Sequence, residues 1–133
     1  MQILFSNGDL RLEGVAVKLR GIRPLLNGAP LEQAHVQVLR QDAHSIVLRY
    51  QAALLQDGAF QIEIREENGT HLRMRYWLEN LPGDIVLNSF GVHFDSLANV
   101  RAYLRNGYFS WDGSEYIKTT EARTITGFAM TQL

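Results

Sequence analysis

A chain of 133 residues with an apolar fraction of 46% can build one domain around its own core and leaves little room for a second. Thirteen Lys and Arg against fourteen Asp and Glu give a formal charge of -1, a balance that gathers neither nucleic acid nor an anionic membrane. The lack of cysteine removes disulfide frameworks, thiolate metal sites and Cys nucleophiles together.

The opening residues, Met1 to Leu10, mix apolar side chains with Asn7, Gly8 and Asp9 and so resemble neither a basic leader nor a bilayer helix, which needs roughly 20 apolar residues. The expectation is a cytoplasmic chain without a targeting segment. Turn dipeptides then punctuate the sequence: Asn7-Gly8, Asn27-Gly28, Asp57-Gly58, Asn68-Gly69, Pro82-Gly83, Asn106-Gly107 and Asp112-Gly113. Glycine tolerates positive φ, and Asn or Asp accepts it better than most residues, so these pairs close tight reversals between strands.

Leu31, Ala34, His35, Val38 and Leu39 fit a helical stripe as well as a strand, and strand is preferred. Ile46 to Tyr50 is rich in β-branched and apolar residues and suits a covered strand. Phe60-Gln61-Ile62-Glu63-Ile64-Arg65 alternates apolar and polar side chains, and Leu72-Arg73-Met74-Arg75-Tyr76 repeats the alternation beyond Asn68-Gly69, which predicts a hairpin. Ile85-Val86-Leu87 reads as another covered strand. Leu97, Val100 and Leu104 match a helix capped at Ser96. The alternation of Ala98, Val100, Ala102 and Leu104 before an Asn-Gly pair favours a strand. Thr124 to Thr131 reads as a last strand, and its closeness to Leu133 suggests a chain that continues. The predicted fold is all-β, an antiparallel two-sheet sandwich with little or no helix, formed by residues 1–133 as a single domain.

Catalytic ingredients are sparse. His35, His44, His71 and His93 show no metal-ligand spacing, so no metal or other cofactor is expected. Nucleophile-elbow, P-loop and dinucleotide motifs are lacking. Carboxylates occur at Glu63, Glu66, Glu67, Glu79, Asp84, Asp95, Asp112, Glu115 and Glu121. A glycosidase needs two facing each other across a substrate, which spacing cannot reveal. Glu63, on the polar side of an alternating strand, reads as part of a solvated face.

The unusual stretch is Leu104 to Tyr116, which packs Tyr108, Phe109, Trp111 and Tyr116 beside two turn dipeptides. Flat aromatic faces next to Asp, Asn and Ser suit a sugar, the ring covering its apolar C-H face while polar groups take its hydroxyls. The alternative is that Tyr108 and Phe109 fill the core and Trp111 covers the end of the sandwich.

The run Asn106-Gly107-Tyr108-Phe109-Ser110-Trp111, continuing into Asp112-Gly113-Ser114, resembles the Asn-Gly-(Trp or Tyr)-Gln-Ser-Trp stretch of melibiase-type α-galactosidases and related glycoside hydrolases, near the end of their N-terminal β-sandwich domain. The likeness runs from Ser89 to Leu133, and Phe109 replaces the family's Gln. The resemblance implies a supersandwich-like domain preceding a catalytic (β/α) barrel that lies beyond these residues. It further implies a carbohydrate ligand of α-galactoside type, with Trp111 as a pocket wall and Asp112 and Tyr108 as further contacts, and no activity in the sandwich alone. A free-standing carbohydrate-binding module and a structural or homo-oligomer-forming sandwich are the alternatives.

Overall fold

A computed structural model describes residues 2–14, 17–69, 71–100, 102–106, 115–118, 120 and 128–132. The chain forms β1 (Gln2–Ser6), β2 (Asp9–Glu13), β3 (Lys18–Leu26), β4 (Ala29–Pro30), β5 (His35–Gln41) and β6 (Ser45–Gln51). A 3-10 turn at Ala53–Leu55 leads into β7 (Ala59–Glu67) and β8 (His71–Glu79). Then follow β9 (Phe90–His93), β10 (Ser96–Ala98), β11 (Ala102–Asn106), β12 (Glu115–Lys118) and β13 (Phe128–Gln132). The fold is all-β and antiparallel, as the period-two patterning predicts.

Three of the predicted reversals have the backbone that their residues favour. Asn7 and Gly8 (φ 51° and 78°), Asn27 and Gly28 (49° and 78°) and Asn68 and Gly69 (55° and 68°) are left-handed in succession. Two successive residues at positive φ match the twist of adjoining strands, and so each pair closes a hairpin. Around Asn68-Gly69 the register is continuous from Ala59↔Glu79 to Glu67↔His71.

One sheet has the order β5-β6-β7-β8. A second is built on β3, whose first half pairs with β2 and β10 and whose second half pairs with β9 and β4, with β1 outside β2, and a smaller three-stranded sheet has the order β12-β11-β13. Alternate residues of the two larger sheets meet in one core: Leu10, Leu12, Ile22 and Leu26 from one side, Ile46, Leu48, Tyr50, Phe60, Ile62 and Ile64 from the other. Phe60 is fully buried at its centre. Truncating such a ring to alanine costs about 3–5 kcal/mol.

Two bulges depart from plain alternation. Opposite β2, the register of β3 shifts between Leu10↔Ile22 and Leu12↔Leu19, and Gly21 takes φ 64° there. A Cβ at Gly21 would stand 2.1 Å from Asp95 Oδ2 and 2.8 Å from Asp95 Cβ, so only glycine fits. In β5 the register shifts between Val38↔Leu48 and Arg40↔Val47, leaving Leu39 as the extra residue and turning Arg40 onto the outer face.

Two expectations are corrected. Residues 85–87 form no strand: Val86 is 70% exposed, and its carbonyl accepts a bond from Asn27 Nδ2 at 2.7 Å. Asn27 Oδ1 also accepts the amides of Asn88 (2.7 Å) and Ser89 (3.2 Å), so one side chain takes the place of ladder partners. The alternating run 98–104 is broken at Asn99, whose φ of 65° separates β10 from β11. Of the two stretches that also fit a helix, 31–39 yields β5 and 97–104 yields parts of β10 and β11. A hydroxyl, amide or charge on every second residue of these segments favours a sheet face over a helical stripe.

Candidate functional site

The aromatic run is flanked in the sequence by a pair of strands. β11 and β12 run antiparallel from Ala102↔Lys118 to Arg105↔Glu115, and β13 lies on the other side of β11 with Asn106↔Phe128. Residues 107–114 therefore connect β11 to β12 directly beyond a closed register. Tyr108, Trp111 and Asp112, the residues expected to meet a sugar, lie outside the described residues, as does Phe109. Strand β12 itself carries Ile117, which is buried, and Tyr116, which is 57% exposed at the foot of the connection. Tyr116 belongs to the same aromatic run, and the alternation of β12 points it opposite to Ile117.

No family model, curated protein or solved structure matches this chain.

The remaining ionisable side chains cluster on the sheet faces. Glu63 is not solvated as expected. Its side chain is 13% exposed and receives Arg75 Nε at 2.9 Å and Arg40 Nη2 at 3.2 Å, with Arg65 at 3.8 Å. Sequence alternation places Glu63 on the polar side correctly; what it misses is that strands on both sides, β5 and β8, supply guanidinium groups that cover it. Glu67 pairs with Arg73 at 3.1 Å, and Glu66 Oε2 lies 3.1 Å from His44 Nδ1. Glu79 accepts from the Gln61 amide and, at 3.4 Å, from Trp77 Nε1, while Arg75 lies 6.0 Å above the Trp77 ring.

On the other sheet, Asp95 Oδ1 accepts Arg23 Nη2 at 2.9 Å and lies 3.1 Å from His93 Nε2. Asp95 owes its place to the bulge at Gly21 and to its own amide, which donates to the Arg20 carbonyl at 2.9 Å. The β5–β6 turn holds Asp42, whose carboxyl stays below its ordinary range because the Ser45 hydroxyl (2.7 Å) and then the His44 amide (2.8 Å) donate to it. Among the described residues no three His, Cys, Asp or Glu side chains converge as metal ligands.

The sandwich also has an open margin. Tyr76 faces inward from β8, stacked 6.0 Å from Phe60 and edge-on to Phe90 at 5.8 Å, yet Tyr76 and Phe90 remain 41% and 44% exposed. Among the described strands β8 is an edge, paired on one side by β7.

Proposed function

We propose that this chain is a non-catalytic N-terminal β-sandwich domain of an α-galactosidase-like glycoside hydrolase, contributing an aromatic connection to carbohydrate binding and packing against a catalytic barrel. The observation that supports the reading is that the strands flanking this run in the sequence, β11 and β12, pair with each other as far as Arg105↔Glu115. A connection held at both ends by a sheet can present Trp111 and Tyr108 to a sugar while its base stays fixed. The exposed Tyr116 at that base adds an aromatic surface where the sugar would approach. In this reading Asp112 takes a hydroxyl, and the acid and nucleophile lie on the barrel. The exposed Tyr76 and Phe90 rings provide an apolar margin of the kind that another domain covers.

A test uses the two tryptophans of the chain. With Trp77→Phe, Trp111 becomes the sole indole, and its emission is quenched by acrylamide if it stands on the surface. A ring sealed from acrylamide in the folded chain overturns the reading. Titration with an α-galactoside such as melibiose then separates two roles: a saturable change in emission marks a free-standing binding module, whereas an accessible indole without saturation marks a pocket shared with the barrel. In an enzyme joined to its barrel, Trp111→Ala lowers kcat/KM while leaving the unfolding midpoint in place.

A second reading rests on the same open margin. Tyr76 and Phe90 could meet a second copy of the chain, with the edge of β8, unpaired among the described strands, beside them. Light scattering across a concentration series tests it, and a monomer throughout refutes it.

A further inference from the structure

The outer face of the four-stranded sheet concentrates guanidinium groups that the carbohydrate reading does not use. Because the bulge at Leu39 turns Arg40 outward, Arg40, Val47, Glu63 and Arg75 form one row across all four strands. The neighbouring row runs through Ser45, Arg65 and Arg73. Arg40 and Arg75 are committed to Glu63, at 3.2 Å and 2.8 Å. Arg65 has only a 3.8 Å approach to the same carboxylate, beyond hydrogen-bond range. Arg73 reaches Glu67 with its Nε at 3.1 Å. Four arginines against Glu63 and Glu67 leave a local excess of positive charge, on a chain whose formal charge is -1.

Arg65 and Arg73 are moreover direct cross-strand partners. Like charges in that relation are destabilising unless an anion lies between them. Together with Glu63 and Arg75 they line a depression of about 70 Å³. Guanidinium groups present planar forks of N–H donors that match the oxygens of a tetrahedral oxyanion, and two forks facing one depression can share one such group.

We propose that this depression binds the phosphate or sulfate group of a small anionic ligand. Arg65 and Arg73 make the direct contacts, Arg75 closes the third side, and Glu63 acts as a positioning residue that holds Arg75 and Arg40 upright. The proposal is independent of the carbohydrate reading. Since all four arginines are half exposed or more, binding is modest and salt-sensitive.

The test follows the thermal midpoint of the 133-residue chain at fixed ionic strength, exchanging sodium chloride for inorganic phosphate, sulfate or glucose 6-phosphate. An anion that binds only the folded state raises the midpoint by mass action, so concentrations on the order of tens of millimolar should produce a rise that chloride does not. The double variant Arg65→Ala/Arg73→Ala should lose most of it. Arg65→Lys/Arg73→Lys, which keeps the charge and the fold but not the fork, should also lose most of it. Arg20→Ala, on the other sheet, should keep it. A larger rise with glucose 6-phosphate than with inorganic phosphate would assign the site to a phosphorylated sugar, and equal rises would assign it to the free anion. A rise that is the same in the double variants as in the parent, or no rise beyond chloride, would overturn the proposal.

Discussion

Tyr50 offers a prediction in which the sign is the informative part. The side chain is 2% exposed in the middle of the core, and its hydroxyl has no hydrogen-bond partner among the described residues. Burial, and then the nearby charge of Asp9, hold its pKa above the ordinary tyrosine value. A buried hydroxyl without a partner costs about 1–3 kcal/mol of desolvation. Removing the oxygen by Tyr50→Phe recovers that cost but leaves a void the size of one atom, which at about 24 cal/mol per Å³ takes back roughly 0.5 kcal/mol. The net expectation is a gain of about 1 kcal/mol. With an unfolding entropy near 0.3 kcal/mol/K for a domain of this length, the melting midpoint rises by about 3–4 °C. The assay is calorimetry or denaturant melting of parent and variant at neutral pH. A second arm uses pH. The hydroxyl stays protonated in the folded chain and ionises in the unfolded chain from about pH 10, so the parent loses stability as pH rises above that point. The variant lacks this term, and its advantage should widen there. A loss of about 1 kcal/mol in Tyr50→Phe would refute the reasoning, because it would mean that the hydroxyl makes a bond worth keeping.

The other predictions concern the pieces that hold the two sheets in place. Asn27→Ala removes three side-chain bonds to residues 86–89 and places a Cβ-bearing residue without a local amide at φ 49°. A loss of about 1–2 kcal/mol is expected, with faster hydrogen exchange at the amides of Asn88 and Ser89; unchanged exchange there would contradict the clamp. Gly21→Ala drives a methyl into Asp95 and keeps a positive φ, so it should cost about 2–4 kcal/mol and break the Arg23–Asp95 pair, detectable as a shift of the Arg23 Nε resonance. The carboxyl of Asp42 should titrate below the ordinary aspartate range by NMR, and Ser45→Ala should move it back up. Because the folded pKa is lowered, its contribution to stability is present above the ordinary aspartate value and lost as pH falls through the lowered one. An Asp42 titration indifferent to Ser45→Ala would exclude the hydroxyl as the main cause.

Local chemistry made the hairpins legible. Asn followed by Gly accepts positive φ at both residues at low cost, and the β7–β8 register then follows from which face carries Phe60, Ile62, Ile64, Met74 and Tyr76. The β-branched and apolar composition of Ile46 to Tyr50 identified β6 as a covered strand, and it lies between β5 and β7. What stayed hidden depends on partners distant in the chain. Ile85, Val86 and Leu87 have strand composition, but Asn27, almost sixty residues earlier, binds the Val86 carbonyl and the amides of Asn88 and Ser89. Asn99 reads as a polar member of an alternating strand, and its left-handed backbone ends β10 instead. The first outcome has no local signal, and the second has only the general tolerance of Asn for positive φ, which does not say which Asn uses it.

The bulge at Leu39 shows how one such non-local feature changes chemistry as well as shape. In uninterrupted register, Val36, Val38 and Arg40 would share a face, and Arg40 would point toward the core with Leu48 and Ile46. An unpaired guanidinium there would cost several kcal/mol. One extra residue reverses the parity, leaves Val38 and Leu39 partly exposed, and sends Arg40 to Glu63 on the outer face. Glu63 therefore receives guanidinium groups from β5 and β8 at once, and Arg65, on its own strand, is left beside Arg73 with donors to spare. Deleting Leu39 should close the bulge into plain alternation with Arg40 still opposite Val47 on the outer face, so the Arg40–Glu63 pair should survive the deletion; its loss would refute the assignment of Leu39 as the residue that sets the parity of this strand.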